Sequence, residues 1–213
     1  ERNDGTGVPA ATYEIYNATM IGAGAGAGAG GTANNHAMLL RRYVQAGWYN
    51  SIFTDFNGQP LSGGGPQSGA APRLQENLWW GFATPNFTNE VFTATANNNR
   101  TDVDPQLRGI SREPNGGLDP RPAAGSPALV SSRVAPADGF YQPAAYKGAF
   151  DEHDNWLRNW TYLWKGEFIP QLSQRVVLDS PSISGEVTWY ATNEYVLTGY
   201  TYVLSNAVLR IEP

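Results

Sequence analysis

The sequence predicts an all-β protein, with a solenoid of stacked strands as its architecture, on three observations. First, composition: across 213 residues, Gly 24 and Pro 15 are high, charged residues reach only 15% and aromatics 12%. A chain of that kind fills a core with aromatic and β-branched side chains and spends many residues on turns. Second, short apolar runs alternate with polar residues and are punctuated by Gly, Pro, Asn and Asp. Third, a degenerate repeat is present. IYNATMIG, WYNSIFTDF and QENLWWGF each place an asparagine just before an apolar strand, at Asn17, Asn50 and Asn77. The spacings of 33 and 27 residues are too irregular for a hexapeptide repeat, but suit rungs with loops of variable length. An asparagine at the same bend of successive rungs can bond its amide to the next. Asparagine is also common at ordinary turns, so the repeat has a plain reading beside the stacked one.

The elements follow in order. Tyr13, Ile15, Met20 and Ile21 form a first apolar run around Asn17. Next comes the silk-like stretch IGAGAGAGAGG, residues 21–31. A single such run gains little apolar burial against a large backbone entropy, so it is expected to be a loop and not a fibre-forming sheet. Deleting Ala23–Ala29 is therefore expected to leave folding intact. Runs Met38–Val44, Trp48–Phe53 and Leu74–Phe82 read as strands, the last after a Gly/Pro/Ser-rich loop. From Asn97 the chain turns irregular and proline-rich. Trp156, Leu157, Trp160 and Leu163 then fall on a helical stripe expected to pack into the core, with Asp154 or Asn155 as cap and Gly166 as stop. The tail, Val176–Pro213, is strand-like throughout. The expected organisation is thus partial coils over residues 1–96, a closing segment with a short helix over 97–175, and a strand module over 176–213.

Charge and composition exclude several classes. A net charge of −5 argues against a phosphate-tracking nucleic-acid binder. The absence of cysteine removes disulfides, thiolate zinc sites and cysteine nucleophiles. No apolar run approaches the ~20 residues of a membrane span. Abundant Asn, Thr, Gly, Tyr and Trp with scarce Lys point to an extracellular setting. Asn17, Asn86, Asn99 and Asn159 lie in glycosylation sequons.

Three passages go further. DVDPQLRGISREPNGGLDPRPAAGSPAL, residues 102–129, resembles the closing signature of secreted bacterial right-handed parallel β-helix proteins. YKGAFDEHDNWLRNWTYL, residues 146–163, and YNSIFTDF, residues 49–56, resemble segments of a group of large bacterial surface proteins that are mostly hypothetical or T9-secreted. The resemblance implies a right-handed parallel β-helix and says little about activity. In that group the counterpart of ISGEVTWYATNEYVLTGYTYVLSNAVLRIEP opens the mature protein, whereas here it comes last. The resemblance therefore implies a chain that starts in mid-helix and ends where a further helix begins. Such a chain is cut from a tandem array or defined across a repeat boundary.

Because β-helices host polysaccharide enzymes, carboxylate pairs and basic groups need weighing. Arg41 and Arg42 are adjacent and would face opposite sides of a strand. Asp55 sits at a turn, and the Asp151–Asp154 cluster lies outside the coil face. No Ser-His-Asp, P-loop or dinucleotide motif is present, and His36 and His153 are too far apart in sequence to suggest a metal pair. No enzyme is expected. Calcium is the cofactor the acidic residues suit best, with Asp102, Asp104, Asp151, Glu152 and Asp154 as oxygen ligands. The expected function is an extracellular structural protein whose tail associates with other copies head to tail through Trp189, Tyr195, Tyr200, Tyr202 and Ile211. The tail is too small to bury its apolar faces alone, and an open sheet edge invites pairing. The alternative is a carbohydrate-binding or carbohydrate-cleaving protein, with Trp48, Trp79 and Trp80 as stacking platforms for surface glycans. One of Trp79 and Trp80 is expected to face outward, because they are adjacent in a strand.

Overall fold

The computed structural model describes residues 12–27, 36–40, 44–62, 73–130, 133–171, 174–190 and 192–212. Arg41, Arg42 and the second half of the Gly/Ala run lie outside the described residues. The protein is all-β, with only two four-residue α-helices among the described residues. The chain divides into two units, one of residues 1–108 and 122–152, the other of residues 109–121 and 153–213.

In the first unit three passes of chain pair in parallel. Strands β1 (Glu14–Tyr16), β2 (Thr19–Ile21) and β3 (His36–Leu39) make the first pass. The second contains β4 (Gly47–Tyr49), β5 (Ile52–Phe56) and β6 (Gln59–Ser62), and the third β7 (Arg73–Gln75) and β8 (Leu78–Phe82). The sheets run β1-β4-β7, β2-β5-β8 and β3-β6, all with parallel pairing. After β8 come helix α1 (Glu90–Thr93), capped by the Asn89 side chain, and a 3-10 turn, Thr95–Asn97. An isolated parallel bridge, Arg100 to Leu78, starts a fourth pass.

Side chains at equivalent positions stack between passes, which is what in-register parallel pairing of like residues allows. Phe53 stacks on Trp79 at 4.1 Å and Phe56 on Phe82 at 5.4 Å. Leu74, Met38, Leu40 and Val91 complete this core. In β5, Ile52, Phe53 and Thr54 are all buried, so both faces of the strand are covered, as is usual for parallel sheets. The outer face is covered by the GSPAL stretch. Ser126 accepts from Ala128 N and donates to Pro105 O at 2.6 Å, and Ala128 packs on Ile52 and Leu78. Gly148 follows, at φ +86, where a Cβ would stand 2.7 Å from Ile52 Cδ1 and from Thr19 Oγ1. Only glycine fits so close an approach in that backbone region.

In the second unit, β9 (Leu107–Ile110), whose first two residues belong to the first unit, pairs with β10 (Leu118–Pro122). The expected Trp156–Leu163 helix is shorter than its stripe suggests. Only α2 (Tyr162–Lys165) is α-helical, capped by the Thr161 side chain and closed by Gly166. Its tryptophans are not core: Trp156 and Trp160 stack on each other while 44% and 70% exposed. A helix of one turn cannot carry a stripe two turns long.

The tail makes two more parallel passes. The strands of the first, β11 (Gln174–Leu178), β12 (Ser182–Ile183) and β13 (Glu186–Trp189), pair with β14 (Asn193–Leu197), β15 (Tyr202–Val203) and β16 (Val208–Ile211) respectively.

Candidate functional site

Two features bear on function: the bends that hold the passes together, and the surface the tail presents. The bends form two adjacent columns, one residue apart. Asn17, Asn50, Glu76 and Asn98 all have left-handed backbone, with φ of 56°, 49°, 60° and 48°. The strand registers place them at the same corner of successive passes. Asparagine tolerates this conformation better than most residues; Glu76 does so with the support described below. The next residues, Ala18, Ser51, Asn77 and Asn99, form the second column.

The expected alignment of Asn77 with Asn17 and Asn50 is therefore off by one position. Asn77 belongs with Ser51, and the bond ladder runs through this second column. Ala18 N donates to Ser51 Oγ at 3.1 Å, Ser51 N to Asn77 Oδ1 at 2.8 Å, and Asn77 N to Asn99 Oδ1 at 3.1 Å. Each asparagine also returns a donor to the pass before it: Asn77 Nδ2 to Trp48 O, and Asn99 Nδ2 to Leu74 O. Each carboxamide, buried at Asn77 and half-buried at Asn99, thus satisfies an amide and the carbonyl three residues earlier. The residue-type signal was correct for two rungs, and the register alone separates the two columns.

The left-handed column faces outward and fastens the covering segment. Asn17 Nδ2 donates to Tyr146 O at 2.6 Å. Asn50 is clamped twice by the backbone of Arg133: its Oδ1 accepts from Arg133 N and its Nδ2 donates to Arg133 O, both at 2.6 Å. Glu76 Oε2 accepts from Lys147 Nζ at 2.8 Å, and its carbonyl does so at 2.6 Å. Asn98 Nδ2 donates to the other carboxylate oxygen, Glu76 Oε1, at 2.8 Å. Lys147 is 4% exposed, and this burial pushes its pKa below the usual lysine value. Burial pushes the Glu76 carboxyl up, but the hydrogen bonds from Lys147 and Asn98 outweigh it and hold its pKa low. Sequence reasoning passed over both residues. The only signal was a lysine inside the YKGAF stretch.

Of the sequons, Asn17 and Asn99 spend their side-chain nitrogens on carbonyls, whereas Asn86 and Asn159 are exposed.

The acidic residues are distributed singly. Arg100 engages Asp102 through both carboxylate oxygens and holds its pKa low. Asp104 caps Gln106 N at 2.7 Å. Glu152 offers its carbonyl to Arg108. Asp151 belongs to the first unit and Asp154 to the second. Among the described residues no group of three His, Cys, Asp or Glu side chains is placed to hold a metal ion. Asp55 has left-handed backbone and accepts from Ala25 N with its side chain and from Gly24 N with its carbonyl. The start of the Gly/Ala run is therefore tied down.

The tryptophan platforms need correcting. Trp79 is fully buried, and Trp48 packs against the same core; Trp80 alone is open, at 39%.

In the tail, Trp189 is nearly buried and stacks on Tyr195 at 4.8 Å. Tyr200, Tyr202 and Ile211 are exposed, at 80%, 54% and 66%. Val203, Leu204 and Val208 join them on the surface of the second pass. Among the described residues, strands β14, β15 and β16 each have a single neighbour. A cleft of about 460 Å³ opens in this unit, lined by Asn155, Trp156, Asn159, Trp189, Tyr195 and Glu194 among others. A buried ion pair not anticipated from sequence, Asp119–Arg121 at 2.7 Å, also belongs here. Arg121 donates in addition to His153 O.

This geometry stands without a known relative among family models, curated proteins or solved structures. Among the described residues no helix is long and apolar enough to cross a membrane.

Proposed function

We propose that this chain is an extracellular structural protein, built as a right-handed parallel β-helix, that associates head to tail with other copies through its C-terminal strand module. The observation that carries this reading is the outer edge of the second tail pass. Three short strands there have one described neighbour each, and their surroundings expose Leu197, Tyr200, Tyr202, Val203, Val208 and Ile211. Unpaired edges beside apolar side chains are templates for strand addition. Strands β1, β2 and β3 also have one described neighbour each, and they offer the complementary edge of a second copy. Tail edge to first-pass edge is a heterologous contact, so it propagates and does not close. Parallel pairing in both stacks, β1–β8 and β11–β16, and a shared corner conformation in the first support the β-helix.

The test is electron microscopy of the purified chain at rising concentration. Unbranched filaments are expected. A preparation that stays monomeric at every concentration sinks the proposal.

A second reading has one observation in its favour. The tail cleft combines aromatic rings with asparagine amides and a carboxylate, a lining suited to a sugar ring, and its volume falls in the usual range of small-ligand sites, about 300–1,000 Å³. A glycan array probed with monomeric protein separates the two readings.

A further inference from the structure

Every residue that lines the tail cleft belongs to the second unit. One of them, Asn155, is 2% exposed. Its Oδ1 accepts from Leu157 N at 3.4 Å and its carbonyl from Arg158 N at 3.1 Å, so it is fixed at a turn. Its Nδ2 is buried, and among the described residues nothing accepts from it. A buried amide donor without an acceptor is costly and uncommon in folded proteins. Tyr195 lies on the same lining. Its hydroxyl accepts from Tyr190 N at 3.2 Å and from Asn193 Nδ2 at 3.0 Å, which fills both lone pairs and leaves its O–H to donate. We propose that this cleft takes an N-acetylated hexosamine, whose acetamido carbonyl accepts from Asn155 Nδ2. The proposal rests on the sugar-binding reading of the cleft and names the class of sugar.

Three features select an acetamido sugar. Depth is the first. Because Asn155 Nδ2 is buried, a ring resting at the mouth of the cleft does not reach it, whereas an acetamido arm carries its carbonyl inward. An amide oxygen is also a stronger acceptor than a sugar hydroxyl. Charge is the second. Asp154, Glu194 and Glu212 line the cleft against one basic residue, Arg158, and Glu194 is also engaged by Arg175 at 3.2 Å. That balance repels the carboxylate of a uronic acid and leaves a neutral sugar favoured. The aromatic wall is the third. Trp189 and Tyr195 stack at 4.8 Å, and Trp156, 44% exposed, stacks on Trp160 at 5.9 Å. Trp156 keeps ring surface for the C–H face of a pyranose, and the acetamido methyl adds apolar area to bury.

The experiment is a titration of the full chain at low concentration, followed by tryptophan fluorescence, with N-acetylglucosamine, glucose, glucosamine and glucuronate in parallel. N-acetylglucosamine is expected to bind about tenfold more tightly than glucose, the scale of one hydrogen bond, with glucuronate the weakest. Asn155→Leu removes the donor at similar volume and is expected to bring N-acetylglucosamine down to the affinity of glucose. Trp156→Ala, at an exposed ring, is expected to weaken both sugars alike while the circular dichroism stays that of the wild type. Equal affinity of the wild type for glucose and N-acetylglucosamine, or tighter binding of glucosamine, overturns the proposal and leaves the sugar-binding reading standing. So does a folded Asn155→Leu protein that keeps the preference. No response to any of the four sugars overturns both. The wild-type comparison decides the matter even where Asn155→Leu fails to fold.

Discussion

The two stacks of parallel strands in this molecule use the same pairing and end with very different interiors. In the β1–β8 stack, Trp79, Phe53, Leu74 and Tyr49 are completely buried. In the β11–β16 stack, Ile183 and Trp189 are the only buried residues among those described, while most of the second pass faces solvent. The first stack has a middle pass with neighbours on both sides; the second has none. The corners differ too. The first stack has its Ser51–Asn77–Asn99 ladder, whereas the tail bends at Ser180, Gly185 and Asn206 with left-handed backbone. Parallel pairing alone therefore does not make a core here. A core requires a pass covered on both sides, and the tail lacks one.

This difference can be broken at its strongest point first. Trp79→Ala removes the ring stacked on Phe53 and leaves a cavity, at a cost of about 3–5 kcal/mol. Trp189→Ala, in the shallower stack, should cost about 2 kcal/mol, the scale of burying one large side chain. Urea unfolding of the two variants checks the order, and equal losses would remove the distinction.

The corners come next. Asn77→Ala strands Ser51 N and Trp48 O inside the protein and should cost about 1–3 kcal/mol. Asn206→Gly, at an exposed left-handed corner of the tail, should change stability by less than about 0.5 kcal/mol. Thermal melts of both variants read the contrast directly. Gly148→Ala tests the covering segment. Its Cβ has no room beside Ile52 and Thr19, so a loss of about 1–3 kcal/mol is expected.

A smaller effect depends on pH. The Glu76 carboxyl titrates below its ordinary value in the folded protein. Its contribution is therefore complete above the ordinary carboxylate range and is lost as pH falls through the depressed value. Acid unfolding followed by tryptophan fluorescence should show a flatter pH dependence over that window in Glu76→Gln.

Much of this fold was legible in the sequence, because aromatic and asparagine residues recur at strands and bends. IFTDF and LWWGF both became strands, and the one-in, one-out placement of Trp79 and Trp80 followed from the alternation along a strand. Register was not legible. Asn50 and Asn77 look equivalent, yet Glu76 holds the left-handed corner and Asn77 the ladder position. A shift of one residue costs nothing in composition but moves every side chain to the other face. The Trp156–Trp160 pair was misplaced for a related reason: helical spacing was present, but the helix covers one turn only. The Lys147–Glu76–Asn98 contact joins residues far apart in sequence, so no local pattern could announce it.

The central claim is that the open second pass of the tail is an association surface. Sedimentation velocity of the full chain across a concentration series tests it most directly, compared with a Tyr202→Lys/Val203→Lys variant that places charge on β15, where both residues are already exposed. The account predicts that the wild type sediments faster as concentration rises, while the variant folds normally and remains a monomer. Identical, concentration-independent sedimentation of the two proteins would contradict it.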